Sequence, residues 1–293
     1  NGLKKGIFEK KEDGSISVNL EKEKLGEKIL LRKDRTSVYI TQDIYLAILK
    51  KKEFKFDKSF YVVGNEQEYH FKVLFNILSK LEISPDKLKH ISYGMVELPE
   101  GKMKSREGNV IDADNLIEEI NSMAKKELNS RTKFSKKELE LRSKKITLAS
   151  IKYFLLKVDA KKNMLFNPKA SLNFEGDTGP YILYSYARAN SILKKIKSKN
   201  KITKIKELNP NEIKLAKKLF LFSEIVSRTY KDLNPSHIAN YSYQLAQIFN
   251  EFYHSCPVIN SENKNLRIEL VKSFKKILNE SLNILGIETL EEM

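Results

Sequence analysis

Two polar loops, each following a short apolar run, hold the residue types best suited to chemistry. The first run, Phe60-Tyr61-Val62-Val63, ends at Gly64 and continues through Asn65, Glu66 and Gln67 to His70. Aromatic and β-branched residues in a row read as a buried strand. The glycine after them lets the backbone turn or come close to a ligand. The second run, 90–98 (HISYGMVEL), opens into a loop at 99–109 that carries Gly101, Lys102, Met103, Lys104, Ser105, Arg106 and Gly108. Backbone donors beside glycine, next to cationic side chains, stabilise phosphate charge. Upstream, Tyr39 and Asp43 bracket Thr41, a suitable helix N-cap, so both sit at an expected strand-to-helix junction. In open α/β sheets, ligands bind at the carboxyl ends of strands.

The elements that must position these residues come in order. A strand is expected at 36–40 and a helix at 42–52. A second strand follows at 60–63, a helix at 66–81 with Phe71, Leu74, Phe75 and Leu78 on one face, and a strand at 90–98. Strand, helix, strand, helix, strand predicts βαβ units and a parallel sheet. After Asn109 the texture turns helical. Helices are expected at 113–129, at 135–157 with Ser135 and Glu138 as a capping box, and at 180–197, 211–231, 236–254 and 264–285, with Gly286 as a stop. Long amphipathic segments with short connections read as a bundle. The fold class is therefore α/β plus all-α: the C-terminal part of a Rossmann-type parallel sheet, then a helical bundle.

Bulk properties bound the partners. The 293 residues suffice for two domains, and 41% hydrophobic residues suit a globular chain. A net charge of +16, from 54 basic and 38 acidic residues, points to a polyanion, nucleic acid first and membrane surface second. The cations concentrate at 188–206 and at 131–145. No apolar run reaches the length of a membrane span, and the first residues hold no signal-peptide core. Cys256 is the single cysteine, which suits a reducing compartment, and the four histidines show no zinc-ligand spacing, so no metal site is expected.

At this point six ordered motifs meet. Val62-Val63-Gly64-Asn65-Glu66-Gln67 with His70-Phe71, Ser92-Tyr93-Gly94-Met95-Val96, and the loop 102–109 are followed by the runs at 175–188, 237–241 and 249–254. Over nearly its whole length the chain resembles the C-terminal portion of an arginyl-tRNA synthetase, a class I aminoacyl-tRNA synthetase. The loop resembles that family's form of the KMSKS motif. It departs from the general class I pattern in having Ser105 where a second lysine would stand, with Lys104 one residue earlier. The His-x-Gly-His motif of the class is absent from 1–293, so it is expected in residues preceding Asn1, and the chain alone is expected to be inactive.

The resemblance implies ATP-dependent activation of arginine and its transfer to a tRNA, with ATP and Mg2+ as small-molecule partners and a cytoplasmic monomer as the working form. It implies a guanidinium pocket of Tyr39, Asp43 and Gln67, ATP contacts from Gly64, Glu66, His70, Met95, Val96, Lys102, Met103 and Ser105, and Lys102 as the catalytic cation. For tRNA it points to Arg188 and Tyr241, with Tyr181, Tyr184, Tyr243 and the neighbourhood of Met293 as further candidates. The implied divisions are 1–110 for the catalytic part, 111–175 for a helical connection and 176–293 for the anticodon-binding domain. The alternative is a non-catalytic RNA-binding helical protein, for which a guanidinium pocket would have no use.

Overall fold

The computed structural model describes residues 2–98, 112–196, 205 and 207–293. Their contacts divide into two compact units, Asn1–Met95 and Val96–Met293.

The first unit begins with an antiparallel sheet of β1 (Glu9–Lys10), β2 (Ile16–Leu20) and β3 (Gly26–Leu31). Arg35, at φ +64°, closes a turn in which Asp34 accepts from the backbone and hydroxyl of Thr36. That turn brings Ser37 back beside Leu31 for a single bridge. The expected strand at 36–40 reduces to that bridge, because α1 (Tyr39–Phe54) starts early, with Val38 as its N-cap. Thr41 does not cap; its hydroxyl donates to the Leu30 carbonyl and ties the helix to β3. Tyr39 and Asp43 therefore lie one turn apart on a helix rather than across a junction.

β4 (Ser59–Gly64) and β5 (Leu88–Tyr93) form a two-stranded parallel pair, joined by α2 (Glu68–Lys80). This is the βαβ unit expected from the alternation, without the expected third strand. Phe71, Leu74 and Leu78 of α2 are buried with Val18, Leu20, Ile44 and Ala47. Tyr61 and Val63 of β4 pack on that core, whereas Phe60 and Val62 on the other face are 45% and 65% exposed.

In the second unit the expected strand at 90–98 continues only as β6 (Val96–Glu97), which pairs in parallel with β7 (Met164–Leu165). The helices are α3 (Ala113–Arg131), α4 (Lys136–Leu156), α5 (Pro168–Ser171), α6 (Gly179–Lys194), α7 (Pro210–Phe220), α8 (Phe222–Asp232), α9 (Ser236–Ser255) and α10 (Lys264–Ile284). The Ser135–Glu138 capping box opens α4 as expected. The single helix expected at 211–231 is two, α7 and α8, meeting at Leu221. Gly286 ends α10 at φ +66°. The core runs through α4, α6, α9 and α10, with the rings of Phe249 and Phe274 stacked 3.7 Å apart. Gly179 starts α6 against α4, where a Cβ would collide with the Ala149 carbonyl.

Candidate functional site

β4 and β5 pair in register from Ser59↔Leu88 to Gly64↔Tyr93, so their carboxyl ends finish flush. Gly64 has φ −58° and ψ 154°, which any residue adopts, and a Cβ there would meet nothing nearer than Tyr93 at 3.8 Å. The chain itself does not require glycine at this position, and the bare backbone leaves room for a ligand to come close. A 3-10 turn, Asn65–Gln67, follows and runs into α2, with Glu66 exposed on it. Across the pair, His90 Nε2 lies 3.0 Å from the Val63 carbonyl, and the Ser92 hydroxyl donates to Glu68 at 3.0 Å.

Asp43 reaches from α1 to α2, where its Oδ2 lies 2.7 Å from His70 Nε2. The two side chains are 22% and 20% exposed. The Tyr39 ring centre is 5.1 Å from the imidazole, and Gln67 stands one turn before His70. The structure thus gathers Tyr39, Asp43 and His70, with Gln67 next in line. Tyr61 sits against Phe71 and Phe75; burial pushes its hydroxyl pKa up, and the charge of Asp43 adds to the effect. Ser59 lies near that buried hydroxyl and partly offsets the rise, without a hydrogen bond of good geometry between them. A buried polar atom of this kind is usually satisfied by water or a ligand. A part-buried carboxylate beside an aromatic ring suits an organic cation, a guanidinium best of all, because its fork can meet both oxygens.

Met95 is exposed at the end of the first unit, and Val96, in β6, is exposed at the start of the second. Lys102, Met103 and Ser105 lie outside the described residues.

In the helical unit, Arg188 of α6 lies between the rings of Tyr184 and Tyr253, at 4.8 and 4.7 Å. Its Nη1 donates to Asn250 Oδ1, and the Asn250 amide donates to Tyr181 at 2.8 Å and to Ser185 at 2.9 Å. A cleft of about 320 Å³ opens beside this network, lined by Phe174, Glu175, Tyr181, Tyr184, Arg188, Asn250 and His254. Stacked aromatics and a fixed guanidinium are the chemistry that holds an unpaired base. Within the run 249–254, Asn250 and Tyr253 are singled out by contact with Arg188 more than sixty positions away, which no local pattern carries, and His254 by lining the cleft.

Tyr241 does not belong to this surface. It is 2% exposed, and its hydroxyl donates to the Lys218 carbonyl at 3.0 Å. Its place on α9 faces the core, so its ring has no face for a base. The cationic patches also change character. Arg142 donates to the Glu292 carbonyl and lies over Phe134, Lys145 pairs with Glu288 at 3.2 Å, and Lys194 pairs with Glu292. The C-terminal segment therefore neutralises part of both patches, while Lys133, Lys136, Lys137 and Lys144 remain exposed. The residues at 197–204 and 206 lie outside the described ones.

Two family models match. Residues 1–168 match the class I (R) tRNA synthetase catalytic domain, and 182–293 match the DALR anticodon-binding domain. The chain belongs to the class I arginyl-tRNA synthetase family. A curated relative of this family, the arginine–tRNA ligase of Bacteroides thetaiotaomicron, is 47% identical over all of the chain and 51% of its own length. The Thermus thermophilus arginyl-tRNA synthetase structure superposes with a TM-score of 0.86 at 25% identity, covering 96% of the chain and 54% of that protein. The Plasmodium falciparum arginyl-tRNA synthetase gives 0.84 at 26%, covering 99% and 51%. The chain spans about half the length of the arginyl-tRNA synthetases it matches. Among its described residues no helix is long and apolar enough to cross a membrane.

Proposed function

We propose that the chain is the C-terminal half of an arginine–tRNA ligase. In this reading the arginine carboxylate attacks the α-phosphorus of ATP, the bond to the β-phosphate breaks, and pyrophosphate leaves. A ribose hydroxyl at the tRNA 3′ end then attacks the arginyl carbonyl and releases AMP. Asp43 takes the guanidinium, with Tyr39 and Gln67 completing its pocket. Gly64, Glu66, Met95 and Val96 contact the nucleotide, as do Lys102, Met103 and Ser105. Lys102 stabilises the charge that builds on the α-phosphate and the leaving group. Mg2+ bound with the nucleotide would supply further charge neutralisation at the phosphates.

The observation that supports this reading is the contact of Asp43 with His70, whose ring packs on Tyr39 and which stands one turn after Gln67, in a chain whose family handles a guanidino substrate. Arg188, with Asn250, Tyr181 and Tyr184, supplies the RNA-binding cleft. The catalytic part is assigned to 1–110, the connection to 111–175 and the anticodon-binding domain to 176–293, in a monomer of the cytoplasm.

Open apolar faces fit a missing half. A parallel sheet is normally covered on both faces, yet Phe60 and Val62 lie bare, and Tyr45, Leu46 and Ile48 line an exposed side of α1. The test is arginine-dependent pyrophosphate exchange with tRNA present. The chain alone should give none, and adding the N-terminal half of a relative should restore it. Full exchange by the chain alone, or none after complementation, contradicts the proposal.

A further inference from the structure

His70 makes the one hydrogen bond to the Asp43 carboxylate found among the described residues, through Nε2 at 2.7 Å from Oδ2. Its ring is held from two sides, by Tyr39 with centres 5.1 Å apart and by the edge-on ring of Phe71 at 5.4 Å. A carboxylate offers about four lone-pair sites. His70 uses one, which leaves Oδ1 and the rest of Oδ2 for an incoming cation. Without the imidazole, Asp43 would be free to rotate about χ1 and χ2, and its ordering would have to accompany binding.

We propose that His70 is a positioning residue of the guanidinium pocket. By fixing the plane of the Asp43 carboxylate, it favours a planar, two-pronged cation over an ammonium, which needs no such alignment. This rests on the reading of Asp43 as the guanidinium acceptor. It also moves His70 from the nucleotide contacts, where the family resemblance put it, to the amino-acid pocket.

The experiment is a calorimetric titration of the whole chain, complemented with the N-terminal half of a relative, with arginine and, separately, lysine, using wild type, His70→Leu and His70→Gln, with thermal unfolding run in parallel. His70→Leu should weaken arginine binding about tenfold or more and change lysine binding less, so that discrimination falls. His70→Gln keeps a donor at similar reach and should recover most of both. Wild-type affinity in His70→Leu overturns the proposal, and so does equal loss in the Leu and Gln variants. Absence of arginine binding by the complemented wild-type chain overturns the Asp43 reading itself, and this proposal with it.

Discussion

Arg188 on α6 is fastened to Asn250 on α9, and the same asparagine fastens Tyr181 and Ser185. A guanidinium held this way and layered between two tyrosines keeps one orientation toward the cleft. Arg188→Lys preserves the charge but loses the fork and the stack. It should weaken RNA binding about tenfold, the equivalent of one charged hydrogen bond, with little change in the slope against salt. Tyr241→Phe removes only a buried hydroxyl bond, so it should cost about 1 kcal/mol of stability and leave RNA affinity unchanged. Filter binding across a salt series, with thermal melts, reads both.

Gly64 separates a structural role from a binding role. Alanine there meets only ordinary contacts and an ordinary backbone conformation, so Gly64→Ala should shift stability by less than about 0.5 kcal/mol. In the proposed nucleotide site the added methyl would crowd the ligand, so ATP affinity should drop. Urea unfolding and a nucleotide titration together check the pair of outcomes; a loss of stability with ATP affinity intact contradicts them.

Glu212 is 1% exposed and does two jobs. It closes the capping box of α7 with Asn209, and it accepts from Arg267 Nε of α10. Removing the arginine leaves a carboxylate buried without its counter-charge. Arg267→Ala should therefore cost about 3–5 kcal/mol. Replacing both residues with apolar ones should cost less than the sum of the single changes, because no stranded charge remains. Denaturant unfolding of the two singles and the double measures this.

The C-terminal segment should be sensitive to acid. Lys194 hydrogen-bonds Glu292 and holds its pKa below the ordinary glutamate value of 4.5, and Glu292 in turn raises Lys194 above 10.5. A depressed carboxylate contributes above its unfolded pKa and stops contributing as pH falls through its folded one. A raised amine contributes below its unfolded pKa and stops contributing as pH rises through its folded one. Docking should thus hold between those two ordinary values and loosen in acid below the lower one. Hydrogen exchange at residues 287–293 across a pH series reads the release. Equal protection at low and neutral pH argues against it.

Much of this was legible because local signals agreed with the tertiary outcome. Ser135 with Glu138, the apolar face of α2 and the stop at Gly286 need only neighbours in sequence, and each appears where its spacing put it. The failures are cases where distant partners decide. Tyr39 and Ile40 look like strand, yet the turn at 32–36 satisfies β3 with a single bridge and frees them to start a helix. Leu221 shows no breaker, and the helix still divides there. Tyr241 has the composition of a stacking residue, and only the packing of α9 shows that it is core. Asp43 and His70 lie 27 positions apart, so each residue could be named from the family resemblance while their contact could not.

The guanidinium pocket is tested most directly by comparing arginine with its uncharged isostere citrulline in calorimetric titrations of wild type and Asp43→Ala. The account predicts binding of arginine and not citrulline by wild type, with arginine affinity falling at least about 100-fold in the variant. Arginine affinity unchanged in Asp43→Ala would contradict it.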